Sequence, residues 1–273
     1  MIYVLFPAFN EEAVIRPTLL ALWQAMRGET RRYQAVLIDD GSTDGTVVEA
    51  RQAVAESDGE LPLEVLRHGE NRGLGAGLRT GISWCLERAS DDDVIVTLDA
   101  DNTHPPKLIP GMVDKIGEGL DLVIASRYQR GARVIGVPAY RNALSAVGRL
   151  MFQAAFPMRG VRDYTCCFRA YRAPVLRRAQ IVYGDDFLTA RGFEAVMDLL
   201  LRLRQLGIQA GEVPLELHYE QRVGSSKMNV TRTIRRTLAL LAKRWWEGKT
   251  RYSRGHVRER LREVEGARLR ASS

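Results

Sequence analysis

The stretch Val94-Ile95-Val96-Thr97-Leu98-Asp99-Ala100-Asp101 decides how the rest of the chain is read. A short apolar, β-branched run leads straight into two carboxylates one residue apart, and Asp91, Asp92 and Asp93 stand in front of it. Such a run between polar flanks reads as a central parallel strand. In open α/β sheets ligands gather beyond the carboxyl ends of the strands. Asp-x-Asp at such an end offers the hard oxygen ligands that Mg²⁺ or Mn²⁺ takes. The same two carboxylates would serve equally well as caps of a following turn, so the pattern needs support from other segments.

Working outward, residues 2–6 form an apolar first strand, followed by Pro7-Ala8-Phe9-Asn10-Glu11-Glu12. Asn10 is expected to cap a helix whose first turn holds Glu11 and Glu12, where the helix dipole favours them. A second strand over residues 35–38 ends in Asp39-Asp40-Gly41-Ser42-Thr43-Asp44-Gly45-Thr46, a run of turn formers. A third strand near residues 63–66 is followed by Asn71-Arg72-Gly73-Leu74-Gly75-Ala76-Gly77, whose glycines suit either a phosphate or close helix packing. Strands alternating with helices of crossover length imply a doubly wound parallel sheet. Farther on, Val196, Leu199, Leu200 and Leu203 repeat at helical spacing as core, and Pro214 puts the strand around it at a sheet edge.

Composition narrows the class. The chain has 273 residues with 45% hydrophobic content, enough for one large α/β domain or two small ones. It shows no apolar run of about 18 residues and no basic, cleavable leader, so a cytoplasmic protein is expected. Cys85, Cys166 and Cys167 fit neither a disulfide framework nor metal-ligand spacing and read as reduced and structural. The net charge of +7 is uneven. From Arg222 onward there are 15 Lys or Arg against 4 Asp or Glu, leaving 25 against 29 before it. A mildly acidic body with a basic arm points to an anionic surface met at one end.

Three segments in order, residues 6–12, residues 38–46 and Asp99-Ala100-Asp101, resemble the family-2 inverting glycosyltransferases of GT-A fold. Ala125-Ser126-Arg127-Tyr128, Arg141-Asn142-Ala143-Leu144-Ser145, Asp163 to Tyr171, Gly192-Phe193-Glu194 and Arg222 to Met228 resemble its polyprenyl-phosphate branch, the dolichol-phosphate mannose synthases. The resemblance runs from residue 2 to about residue 230. It implies an α/β, Rossmann-like, mostly parallel central sheet with flanking helices and a C-terminal amphipathic helical tail. Residues 1–228 would be the catalytic domain, split into a nucleotide-sugar half (1–103) and an acceptor half (104–228), with the basic tail at 229–273. Two departures stand out. Thr103 occupies the position where the branch usually has a metal-holding Gln, and Cys166-Cys167 replace a common Ser-Gly pair. The transmembrane helices that many relatives carry at the C-terminus have no counterpart here.

The resemblance also distributes roles. Pro7, Phe9, Glu11, Ile38 and Asp40 would line the nucleoside pocket. Asp101, with Asp99 nearer the ribose and sugar, would hold a divalent cation, Mg²⁺ or Mn²⁺, on the diphosphate, with Ala100 between them. Arg127, Arg222 and Lys227 would add positive charge there. A phosphate monoester has a second pKa near 6 and needs no general base, so cations must hold the acceptor instead. Arg141 and Arg169 are the candidates, with Ser145 as a donor. Asp163 would be the base if the acceptor were a hydroxyl, or else a fold-stabilising partner of Arg169 or Arg162.

In the tail, Val230, Ile234, Leu238, Leu241 and Trp245 fall on one face of a helix, with Arg232, Arg235, Arg236, Lys243 and Arg244 mostly on the other. That is the pattern of a helix lying on anionic lipid; the alternative is a helix docked on the body or on a second subunit in a homodimer. The expectation is therefore an enzyme peripheral on the inner face of a membrane, moving mannose from GDP-mannose to a polyprenyl (dolichyl) phosphate. A second enzyme reading keeps the fold but uses a UDP-sugar such as UDP-glucose, or a soluble acceptor. A third class, a non-catalytic nucleotide- or nucleic-acid-binding protein, is opposed by Asp40, Asp99 and Asp101, which would repel a polyanion, and by the lack of base-stacking aromatics among the body's basic residues.

Overall fold

The computed structural model describes residues 1–137, 139–218 and 230–249, with 255, 257 and 259–262 beyond them. A seven-stranded sheet takes β1 (Ile2–Ala8), β2 (Tyr33–Asp39), β3 (Leu63–Arg67), β4 (Val94–Thr97), β5 (Leu122–Ser126), β7 (Arg169–Arg172) and β8 (Ala210–Pro214) in the order β3-β2-β1-β4-β7-β5-β8. β1 to β4 form one parallel block, and β5 with β8 a second. Only β7 runs against its neighbours, with Arg169 opposite both Thr97 of β4 and Ile124 of β5. A two-stranded ribbon pairs β6 (Arg133–Ile135) with β9 (Glu216–His218). β8 is the edge that Pro214 implied.

Helices α1 (Glu12–Met26), α2 (Thr46–Glu56), α3 (Leu74–Leu86), α4 (Ile109–Gly117), α5 (Ala139–Ala155), α6 (Ala173–Tyr183) and α7 (Glu194–Gln205) follow in chain order. Every residue of β4 is buried, as a strand covered on both faces requires, and each large apolar side chain there contributes roughly 1.5–3 kcal/mol. The four leucine and valine positions picked out in α7 are all core. The three cysteines are free and buried.

The glycine-rich run serves packing. A Cβ on Gly75 would lie 1.7 Å from the Ala190 carbonyl oxygen, and farther along α3 one on Gly81 would lie 2.8 Å from Ile38 Cδ1. Gly73 has φ +89°, and the Gly75 amide donates to Arg191 O at 3.1 Å. These residues let α3 lie close over β1 and β2 and receive the loop before α7. Asn10 departs from expectation. It does not cap α1; at φ +55° its side-chain oxygen accepts the Thr43 amide, and its own amide donates to Ser42 Oγ, so it laces the β1–α1 loop to the β2–α2 loop.

The C-terminal helix α8 (Val230–Lys249) lies against α7. Arg244, expected on the outward basic face, is instead buried and bonded to Asp198. A carboxylate inside the apolar run of α7 has to meet a cation, and Arg244 bonds it from α8, with Arg202 of α7 nearby. Leu240 is buried with it. The helix thus has three sectors rather than two: a docking sector with Leu240 and Arg244, an exposed apolar sector with Ile234, Leu238 and Trp245, and an exposed basic sector with Arg232, Arg235 and Lys243. No described helix is long and apolar enough to cross a membrane.

Candidate active site

The carboxyl ends of β1 to β5 lie on one edge of the sheet, and the antiparallel β7 begins there. This brings Phe9 and Glu11, Asp39 and Asp40, Asp99 and Asp101, residues 163–168 and Arg127 to a common rim. Adjacent strands are about 4.8 Å apart, so the ends of β2 and β5 each stand about 10 Å from that of β4, on opposite sides.

At the β2 end, Asp40 is buried and accepts from the Arg72 amide at 3.0 Å, the Gly73 amide at 2.7 Å and His68 Nδ1 at 2.6 Å. His68 Nε2 lies 3.0 Å from Thr80 Oγ1. Asp39 accepts the Ser42 amide and pairs with Arg67. Pro7 is half-buried and sits opposite Ile38 in the sheet. The Ile38 side chain is fully buried beneath α3. Phe9 and Glu11 are half-buried on the same loop, where the Glu11 amide donates to Thr46 Oγ1.

At the β4 end, Asp99 and Asp101 are half-exposed, with Ala100 buried between them. Thr103, in the place of the usual Gln, donates through its hydroxyl to Asp101 Oδ1 at 2.6 Å and through its amide at 3.2 Å. Its hydroxyl therefore orients the carboxylate. Asn102 makes the turn at φ +60°, and His104 Nδ1 accepts the Asp99 amide at 3.2 Å while the ring packs on Phe168. Among the described residues no three His, Cys, Asp or Glu side chains gather to hold a metal unaided. Two carboxylates still fit Mg²⁺ or Mn²⁺, which is ordinarily held by one or two carboxylates plus substrate phosphates. Asp101 and Asp99 are the residues that would hold it.

At the β5 end, the half-buried Arg127 pairs with the fully buried Asp163. Arg127 donates from Nε at 2.8 Å, Nη2 at 2.7 Å and its backbone amide at 3.1 Å. Asp163 also accepts the Thr165 and Cys166 amides. Burial alone would raise the Asp163 pKa, but the Arg127 charge and these hydrogen bonds outweigh it and hold the carboxyl below its ordinary value. The partner is thus Arg127 rather than Arg169 or Arg162, and an ionised carboxylate accepting this many bonds is poorly suited to take a proton from a hydroxyl. Burial, then the nearby Asp163 charge, pushes the Cys166 thiol up to about 12. Burial, reinforced by Asp99, also raises Cys167.

Arg169, expected at the acceptor, lies in the core. Its side chain is 0% exposed, with Nη1 donating to Val196 O at 2.6 Å and Nη2 to Tyr164 O at 2.7 Å. At the start of an interior strand, two of its nitrogens bond carbonyls that tie the residue 163–168 loop to α7, while its Nε is buried without a hydrogen-bond partner among the described residues. Arg141 stands near the start of α5, its side chain outside the described residues, as are Arg222 and Lys227. Ser145 is described: its Oγ lies 2.5 Å from Tyr128 OH. Sequence reading missed His68, the bond of Tyr128 to Ser145 and the orienting role of Thr103. A histidine just after a strand, a tyrosine directly after Arg127 and a hydroxyl two residues past Asp101 were the available signals.

Comparison with known proteins agrees with this fold. The chain matches the glycosyl transferase family 2 over residues 3–179. It is 31% identical to undecaprenyl-phosphate mannosyltransferase of Micrococcus luteus, covering 84% of this chain and 87% of that one. Polyprenol monophosphomannose synthase of Mycolicibacterium smegmatis is 30% identical, covering 93% and 91%. Among solved structures, glucosyl-3-phosphoglycerate synthase from Mycobacterium tuberculosis, in complex with Mn²⁺, UDP-glucose and phosphoglyceric acid, shares the fold with a TM-score of 0.65 at 20% identity, covering 90% of this chain and 79% of that one. With its strand-end carboxylates on a mostly parallel sheet and this match across most of its length, the chain belongs to glycosyl transferase family 2.

Proposed function

We propose that this glycosyltransferase moves a sugar, with mannose from GDP-mannose as the first choice, onto the phosphate of a polyprenyl lipid at a membrane face, inverting the anomeric carbon. The state of Asp163 carries the choice of acceptor. The carboxylate that a hydroxyl acceptor would need as base is committed to Arg127, whereas a lipid phosphate is already charged at neutral pH, its second pKa being about 6. One of its oxygens attacks the anomeric carbon as the bond to the diphosphate oxygen breaks, and no proton has to be removed. The names of the two relatives near 30% identity support both acceptor and sugar.

The roles follow the rim. Pro7, Phe9, Glu11, Ile38 and Asp40 line the nucleoside pocket, and Asp99 and Asp101 would hold the cation that accompanies the diphosphate. A divalent cation bound there neutralises charge on the leaving group. Arg127, Arg222 and Lys227 add positive charge beside it, and Arg141 with Ser145 receives the acceptor phosphate. Membrane contact is assigned to the exposed apolar sector of α8 and supported by Val147, Leu150 and Met151, which α5 leaves exposed. The test is turnover with GDP-mannose, UDP-glucose and other nucleotide sugars, with polyprenyl phosphate as acceptor and Mg²⁺ or Mn²⁺ added. Mannosyl-lipid formed from GDP-mannose is expected. Turnover only with UDP-glucose would replace the donor, and turnover only with a soluble acceptor would replace the lipid.

A further inference from the structure

We infer that Arg149 is an additional binding residue for the acceptor phosphate, held in place by Tyr128. The inference rests on the proposed lipid-phosphate acceptor and adds a residue that neither motif nor family resemblance singled out. Tyr128 follows Arg127 at the end of β5 and reaches α5, where its hydroxyl meets Ser145 Oγ at 2.5 Å. One helical turn later Arg149 lays its guanidinium over the same ring, with Cζ 4.7 Å from the centroid. Arg127 Cζ lies 5.6 Å from that centroid, so two guanidinium groups share one tyrosine.

The two differ in what balances them. Arg127 is paired with Asp163. Arg149 makes no ion pair among the described residues, and its Nε is buried there without a hydrogen-bond partner. A buried N–H with no acceptor costs free energy that a bound anion would recover. Stacking on the ring occupies a face of the guanidinium of this half-buried residue and leaves available the in-plane edge of its two terminal nitrogens, which can grip phosphate bidentately. Arg149 follows Ser145 by four residues, and Ser145 follows Arg141 by four, so helix register sets the three positions about 40° apart on one side of α5. Val147, Leu150 and Met151 fall outside that arc and are exposed. A polar strip with an unbalanced cation beside an apolar outer face suits a phosphate attached to a hydrocarbon chain.

The experiment is steady-state transfer from nucleotide sugar to a short-chain polyprenyl phosphate by the intact chain and its Arg149→Ala, Arg149→Lys and Tyr128→Phe variants. Arg149→Ala is expected to raise KM for the lipid phosphate about tenfold, the worth of one charge-assisted hydrogen bond, with the donor KM unchanged. Arg149→Lys should recover part of the loss, and Tyr128→Phe should give a smaller rise in the same KM. An unchanged lipid KM in Arg149→Ala overturns the inference while leaving the proposed acceptor in place. So does an equal rise in both KM values with a lowered melting midpoint, which marks a packing role. Should wild-type protein transfer to no polyprenyl phosphate at all, the proposed acceptor falls and this inference with it.

Discussion

Arg244 of α8 and Asp198 of α7 meet in a buried two-point ion pair, Nε to Oδ1 at 2.6 Å and Nη2 to Oδ2 at 2.9 Å. The tail helix is therefore held to the body by charge as well as by Leu240. Arg244→Ala should cost about 3–5 kcal/mol, because the buried Asp198 would lose both hydrogen bonds to its guanidinium partner. Urea unfolding measures this. Asp198→Leu combined with Arg244→Leu should recover most of the loss, since an apolar pair of similar volume replaces a buried ion pair at little cost. A loss below about 0.5 kcal/mol for Arg244→Ala would mean that α8 is not docked as described.

Membrane contact can be tested without disturbing that dock. Ile234, Leu238 and Trp245 are 43%, 47% and 52% exposed. Replacing all three by Ser should remove on the order of a kcal/mol of lipid affinity per side chain while leaving the melting midpoint near that of wild type. Co-sedimentation with anionic vesicles should fall sharply, and wild-type binding should weaken, not vanish, as salt rises. Undiminished sedimentation of the triple variant would assign the vesicle contact to another surface.

Asp101→Asn should lower kcat by about 100-fold or more, the scale of losing a group that stabilises charge in the transition state. Thr103→Val, which removes only the hydroxyl bonded to Asp101, should raise the metal concentration needed for half-maximal rate by about tenfold at saturating donor. Titration of Mn²⁺ against initial rate separates the two. Near-full turnover by Asp101→Asn at limiting metal would remove Asp101 from the ligand set.

The Asp163–Arg127 pair predicts a pH signature. The folded-state pKa of Asp163 is depressed, so its stabilisation is fully present above the unfolded carboxyl value of about 3.9 and is lost as pH falls through the lower folded value. The stability gap between wild type and Asp163→Asn should therefore stay constant from neutral pH down to about 5 and close below about 4. Urea midpoints measured across that range check this, and a gap that grew on acidification would contradict the sign.

Gly75→Ala should be poorly tolerated, because the new methyl would lie 1.7 Å from the Ala190 carbonyl oxygen. Backbone must move at the start of α3, beside the amides that Asp40 accepts. Both a drop in melting temperature and a raised KM for the nucleotide sugar are expected. Gly28→Ala, where nothing lies within 4 Å of the added carbon, is the control and should change neither.

Much of the site could be read from sequence because its residues sit on local patterns. An apolar run ending in Asp99 and Asp101, and turn formers after β2, mark the strand ends directly. Partnerships between distant residues could not be read in this way. Asp163 lies 36 residues from Arg127, and only the antiparallel course of β7 between β4 and β5 brings the loop before it to the rim. Arg169 looked functional by its motif, yet its place opposite Thr97 and Ile124 inside the sheet puts it in the core. A helical wheel puts Arg244 among the tail's charges, and the sign of its burial lay elsewhere, in the carboxylate of Asp198 amid the apolar residues of α7.

The backward strand also bears on how this protein can be divided. β7 supplies one neighbour of β4, the other being β1. A chain ended after Thr103 would keep four parallel strands but leave the apolar backbone of Val94, Ile95 and Val96 as an open border, ready to recruit another copy. Residues 1–103 are therefore not a cassette that can be lifted out and fused elsewhere. Engineering that exchanges donor preference has to work by substitutions within the intact sheet.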